Sequence, residues 1–384
     1  MYFYLLIALL IAILAYQYDI KNKSAGRSFW EKCVVTLLIV IVGLRYHIGS
    51  DTVVYEWHFK TIETPVLSDF FQKDNLLVQP LWAFVMSFCK TVFGSFIAVQ
   101  FFHAIVYHVL AFRFIKKTTQ YTFTALLFFF ILLWFANSFE VLRESISSVI
   151  FLNSLFLLRE KKFIKYILCA IVAMGFHSFA FIMFVLAPLV VFSNKYVLCI
   201  ICALIYIVVQ FVDLSEINRV LISVMAFSDT IGNKATIYIG QKDSTVISFL
   251  GLIRLVFIGL FLPICVILFS DKKDSPFVKL VIFWMLLMLL KSKLPILYRM
   301  NNYLQLIYIV LLVNLLYNNT RTSIKSLKPL LIALSCGVLI MGYVDVYRPD
   351  PSFQSSKVPY DIRYFPYRTV FQDPVPMRES ESYY

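Results

Sequence analysis

Charge is scarce in this sequence. Charged residues fill 15% of its 384 positions, against about a quarter in an ordinary soluble domain. Hydrophobic residues reach 60% and the mean hydropathy is +0.80. Too little polar surface remains to cover a core, which excludes a soluble globular chain. No Lys or Arg precedes the first apolar run, so the basic start of a cleavable signal peptide is missing and the run is expected to stay as a span. The seven cysteines are scattered inside apolar runs. Cys199 and Cys202 have CxxC spacing but no second pair and no neighbouring His, so they read as packing residues, since zinc needs four converging ligands. There is no Asp-x-Asp suited to a divalent ion and no ligand cluster, so neither a metal nor a cofactor is expected. No internal repeat is visible, which weighs against an inverted-repeat transporter.

What is present fits a lipid environment. The net charge of +13 is not a nucleic-acid signature, because Lys and Arg sit in short loops between apolar runs, the positive-inside pattern. The 38 Phe and 23 Tyr suit lipid-facing and interfacial positions. Divided at roughly 20 apolar residues per span, the chain is expected to be an all-α integral membrane protein with about twelve transmembrane helices. The basic cluster Lys21, Lys23 and Arg27 follows the first span (2–18) and places the N-terminus outside. A polar outer loop is expected over 46–79 and another over 213–245. The short run 79–93, ended by Gly94 and Ser95, makes only about 22 Å of helix and reads as re-entrant. Residues 163–176 and 179–192 form a hairpin with His177 and Ser178 at its outer tip. The transmembrane domain covers 1–345, and 346–384 is a polar, aromatic tail on the outer face.

Topology and charge together point to one face. Arg45 ends a span there and Asp51 follows it. Arg143 and Glu144 open a span there, and His177 sits at a hairpin tip. Arg254 lies about two turns into a span, and Lys291, Lys293 and Arg299 flank two more outer ends. Charges at or below the membrane surface are costly and mark a site or a pathway by default. An arginine-rich cluster suits a diphosphate or a carboxylate, because guanidinium offers a planar fork of donors and stays charged. Each residue also has a plainer reading. Arg45 can snorkel to headgroups, Lys291 and Lys293 can anchor the interface, and Asp51 can be a solvated loop acid. Arg143 and Glu144 are adjacent, so they share no helix face and each needs its own partner. His103 and His108 fall on different faces of one span, which argues against a shared metal.

The stretch Gly43-Leu44-Arg45-Tyr46-His47-Ile48-Gly49-Ser50-Asp51 through Tyr55 resembles the signature of the EpsG family of Wzy-type extracellular polysaccharide polymerases. Leu142-Arg143-Glu144-Ser145-Ile146 resembles the family's span-opening arginine, which is usually followed by Gln and soon by Ala; Glu144 and Ser147 depart from that. Phe176-His177-Ser178 resembles its His-containing turn, Arg299 with Tyr303 its late Arg-x-x-x-Tyr, and Pro366-Tyr367 its Pro-Tyr near the C-terminus. The resemblance implies a GT-C-like polymerase in the inner, cytoplasmic membrane with an outward-facing site. Its partners would be a polyprenyl-diphosphate-linked oligosaccharide, membrane lipid and other polysaccharide assembly proteins, with no nucleic acid. Arg45, Arg143, Arg254 and Arg299, with Tyr46 and Tyr303, would bind the diphosphate or the glycan. Asp51 or His177 would be the base for the acceptor hydroxyl. A ligase using the same donor and a flippase of lipid-linked sugar remain as alternatives. A flippase would carry charges through the whole bilayer, whereas here they favour one side.

Overall fold

The structure, a computed structural model, describes residues 2–62, 79–211, 255–271, 274–290, 297–318, 322–347 and 364–372. Its helices, in chain order, are α1 (Tyr2–Ala15, prolonged by a π-turn over Tyr16–Ile20), α2 (Arg27–Gly43), α3 (Ser50–Thr61), α4 (Pro80–Phe93), α5 (Phe96–Thr118), α6 (Thr122–Phe139, with a π-turn at Phe130–Trp134), α7 (Leu142–Arg159), α8 (Phe163–Phe176), α9 (Ser178–Phe192), α10 (Lys195–Phe211), α11 (Leu262–Phe269, entered through a π-turn at Leu255–Phe261), α12 (Ser275–Leu290), α13 (Leu297–Asn302), α14 (Gln305–Tyr317) and α15 (Thr322–Tyr347). No strand occurs among the described residues; extended pairing is limited to one isolated bridge.

Among the described residues, four helices are long and apolar enough to cross a bilayer by length and composition: Tyr2–Ile20, Phe96–Thr118, Thr122–Phe139 and Lys325–Val346. Seven more are apolar but shorter. Tyr303 and Leu304 separate α13 from α14. The expected loop 46–79 is no plain loop: α3 forms inside it, because Tyr55 and Phe59, one turn apart, bury against Trp82, Val85 and Met86 of α4. Helix α4 has 14 residues and so rises about 21 Å, short of the hydrocarbon core. The loop 213–245 and the tail beyond 372 lie outside the described residues.

The chain divides into two compact units. The first holds residues 1–153, 175–177 and 335–384; the second holds 154–174 and 178–334. In the second, α14 buries residues all round its circumference, among them Leu306, Tyr308, Val310 and Leu312, as a central helix does. Trp284 of α12 stacks on Tyr308 at 4.4 Å. Helix α10 leaves Val197, Ile200, Leu204, Val208 and Phe211 exposed at helical spacing, an apolar stripe suited to lipid.

In the first unit, one end of the helices is locked by ion pairs. Asp19 accepts from the backbone nitrogen and Oγ1 of Thr124 at 2.7 and 3.0 Å and pairs with Arg27 at 2.8 Å. Arg27 also reaches Glu31 at 3.3 Å, and Glu31 takes Lys116 at 2.6 Å. Both carboxylates are buried, so the pairing is what makes their burial tolerable. Lys116 thus meets the basic segment that follows the first span.

Candidate functional site

The other end of the first unit carries the signature residues. Helix α2 closes at Gly43, where a Cβ would stand 2.5 Å from the Phe101 ring of α5; only glycine lets the two helices approach this closely. The chain then runs extended through Leu44–Tyr46. There it pairs with the C-terminal segment, across more than three hundred residues of sequence. Arg45 bridges Thr369 antiparallel, Tyr46 donates its backbone N–H to Arg368 O at 2.9 Å, and Val370 donates to Leu44 O at 3.0 Å. Tyr367 donates its hydroxyl to Ile41 O at 2.9 Å, and its ring stacks on Phe3 at 4.6 Å. Tyr364 donates to Glu140 Oε1 at 2.7 Å, and its carbonyl accepts from the Tyr4 hydroxyl at 3.2 Å. Two sequence stretches that resemble the same family, Gly43–Tyr46 and Pro366-Tyr367, therefore meet.

Arg45 is sealed beneath this strap, at 0% exposure. Its Nη1 donates to Val42 O at 2.5 Å and its guanidinium lies 5.8 Å from the Phe139 ring centre. Its Nε and Nη2 are buried and meet no hydrogen-bond partner among the described residues. With its side-chain amide turned so that the nitrogen faces them, Gln100 donates to the carbonyls of Gly43 and Arg45 at 3.0 and 3.2 Å.

Helix α3 starts from Gly49, whose φ of +88° disfavours any side chain, and whose missing Cβ would lie 2.4 Å from Phe139 O. Thr52, one turn in, donates to Ile48 O at 2.6 Å and lies 3.0 Å from Phe139 O. Half-buried Asp51 stands in the first turn, where a helix favours a carboxylate. One turn on from Asp51, and on the same face, is Tyr55. The Arg143 guanidinium lies over the Tyr55 ring, 5.3 Å from its centre, and Arg143 Nε is buried without a hydrogen-bond partner among the described residues. His47 meets Glu56 at 2.5 Å. Together with Lys60 it holds the Glu56 carboxyl at about 2, well below the usual range.

Arg143 and Glu144 do part company as adjacent helix residues must. While Arg143 turns to Tyr55, Glu144 is 1% exposed and faces His177, Oε2 to Nε2, at 4.0 Å. His177 follows α8 directly and precedes the tight turn Ser178–Phe181, so a break between two helices presents it to α7. His103 and His108, both buried, have structural partners. His103 Nε2 meets Ser145 Oγ at 2.8 Å. His108 receives the Trp134 indole N–H at Nε2, 2.8 Å, and lies 2.7 Å from Ala104 O through Nδ1. Among the described residues no three His, Cys, Asp or Glu side chains converge as a metal site would need.

The first unit thus carries Arg45, Tyr46, Asp51, Arg143 and His177. Arg299, half-buried on α13, and Tyr303, fully buried after it, belong to the second unit. Arg254, Lys291 and Lys293 lie outside the described residues. Sequence reasoning missed the strap over Arg45, the His47–Glu56 pair and the Glu144–His177 facing. The one local signal for the last was an acid where the neighbouring Ser-rich, apolar helix start leaves it no solvent.

The helices and their lipid-facing surfaces define a multi-pass membrane protein. Residues 28–368, nearly the whole chain, match the model of the EpsG family, and the chain belongs to that family, which places it in polysaccharide biosynthesis. No curated protein and no solved structure matches it.

Proposed function

We propose that the protein is a polysaccharide polymerase of the inner membrane, working at its outer face. It transfers a glycan from polyprenyl diphosphate to a hydroxyl of a second lipid-linked unit. The acceptor oxygen bonds to the anomeric carbon, the bond from that carbon to the phosphate oxygen breaks, and polyprenyl diphosphate leaves with the electron pair. The observation that carries this reading is the gathering of Arg143, Asp51 and His177 in one unit of an EpsG-family chain, at the end opposite an ion-pair network that is already satisfied.

Arg143 serves the leaving group. Its guanidinium is held over Tyr55 with a buried Nε left to donate, and donors preset in a low-dielectric site stabilise developing charge strongly. His177 takes the acceptor proton, and Asp51 accepts a hydrogen bond from a sugar hydroxyl. Tyr46 contributes its ring face and hydroxyl to the glycan. The sequence pattern alone adds Arg254, Arg299 and Tyr303 to the residues assigned to binding. Arg45, covered by the strap, holds the frame that presents Tyr46 and α3.

The test uses purified protein supplied with lipid-diphosphate-linked repeat units. A ladder of longer glycans with wild type, lost in Arg143→Ala and Arg299→Ala variants that still fold, supports the reading. Lipid-linked sugar moved between the leaflets of a vesicle, with no ladder, overturns it in favour of a flippase.

A further inference from the structure

Glu144 is a buried carboxylate in a helix that opens with an arginine, and that arginine is turned away to Tyr55. Across from Glu144 stands the His177 ring, 12% exposed at its side chain, with Nε2 as the nitrogen nearest the carboxylate. The 4.0 Å gap is one step beyond a hydrogen bond; a small side-chain rotation or one ordered water closes it, as happens when open catalytic geometries tighten on substrate.

We propose that Glu144 is the positioning residue for His177. Its carboxylate accepts the Nε2–H of the neutral ring, so the tautomer is fixed and Nδ1 carries the lone pair. Nδ1 then takes the acceptor hydroxyl's proton, and the resulting imidazolium rests against the carboxylate until the proton passes to solvent. A carboxylate behind an imidazole does this work in unrelated enzymes by orienting the ring rather than by taking its proton. The role needs an acceptor oxygen at this place, which a Gln side chain also offers. The proposal rests on the polymerase reading for what His177 does, but not for how the ring is held.

The experiment compares wild type, Glu144→Gln and Glu144→Leu by nitrogen-15 histidine NMR in lipid nanodiscs, where five His give few signals, and by polymer synthesis. Neutral His177 is expected as the Nε2–H tautomer in wild type and Glu144→Gln, and as a tautomer mixture in Glu144→Leu. Glu144→Leu is expected to lower kcat about 100-fold with KM within about twofold, the range found for groups that orient a ligand or base; Glu144→Gln should keep kcat within about fivefold of wild type. An Nδ1–H tautomer in wild type overturns the proposal whatever the variants do. So does a Glu144→Leu protein with wild-type kcat, or one whose only change is KM. If wild type makes no polymer, the polymerase reading fails while the tautomer result still decides this one.

Discussion

Replacing Gly49 by Ala tests how the signature loop is built. At φ +88° and ψ 142° the position lies where essentially only glycine resides, and an L-residue there costs about 1–3 kcal/mol. The added Cβ would also stand 2.4 Å from Phe139 O and 2.8 Å from its carbonyl carbon. These are backbone atoms at the end of α6, and they cannot swing aside as a side chain can. Overpacking of this kind adds about 1–3 kcal/mol, for a total of roughly 2–6 kcal/mol. The first unit has about 200 residues, for which each kcal/mol moves Tm by about 2–4 °C. The expected loss is therefore about 4–24 °C, read by tryptophan fluorescence or thermal shift in detergent. Two controls sharpen it. Gly94 has φ +63° with nothing within 4 Å of a built Cβ, so Gly94→Ala should cost only the backbone part, about 1–2 kcal/mol. Gly337, at an ordinary helical φ and equally open, should accept Ala with no loss. A Gly49→Ala protein melting within 2 °C of wild type would refute the close-approach argument.

Tyr364→Phe removes the donor to a buried Glu140 carboxylate and should cost about 1.5–3 kcal/mol; faster trypsin cleavage after Arg368 would register the loosened strap. Asp19→Ala strips Arg27 and the Thr124 N–H of their shared partner and should cost about 3–5 kcal/mol, seen as a lower melting temperature. The His47–Glu56 pair lowers the folded Glu56 pKa to about 2 from its usual 4.5. Its stabilisation is therefore complete above the unfolded value and fades as pH falls through about 2. Glu56→Gln should thus narrow the melting difference from wild type between pH 6 and pH 2.5.

How much of this was legible in the sequence differs from residue to residue. Apolar runs gave the helical, membrane-embedded class, and the basic cluster Lys21–Arg27 marked the end of the unit where Asp19, Glu31 and Lys116 pair. Gly43 and Gly49 stood out as part of a family-like stretch, and their steric reasons became visible only with Phe101 and Phe139 in place. The helix α3 was hidden inside a polar stretch, since its apolar side is just Tyr55 and Phe59 and its partner α4 comes later in the chain. The strap was invisible because its pairing is backbone to backbone between Leu44–Tyr46 and Arg368–Val370, and no side-chain pattern announces a bridge over that separation. Glu144 read as a departure from a pattern; its meaning needed His177, which a hairpin tip brings back to α7.

The central claim is that glycan moves from a diphosphate carrier held by Arg143. The most direct measurement counts polyprenyl diphosphate released against glycosidic bonds formed, using carrier labelled in its lipid, with wild type and folded Arg143→Ala. One carrier freed per bond with wild type, and at least a 100-fold slower release with the variant, is the predicted result. Bonds formed without carrier release, or release unchanged by Arg143→Ala, would contradict the account.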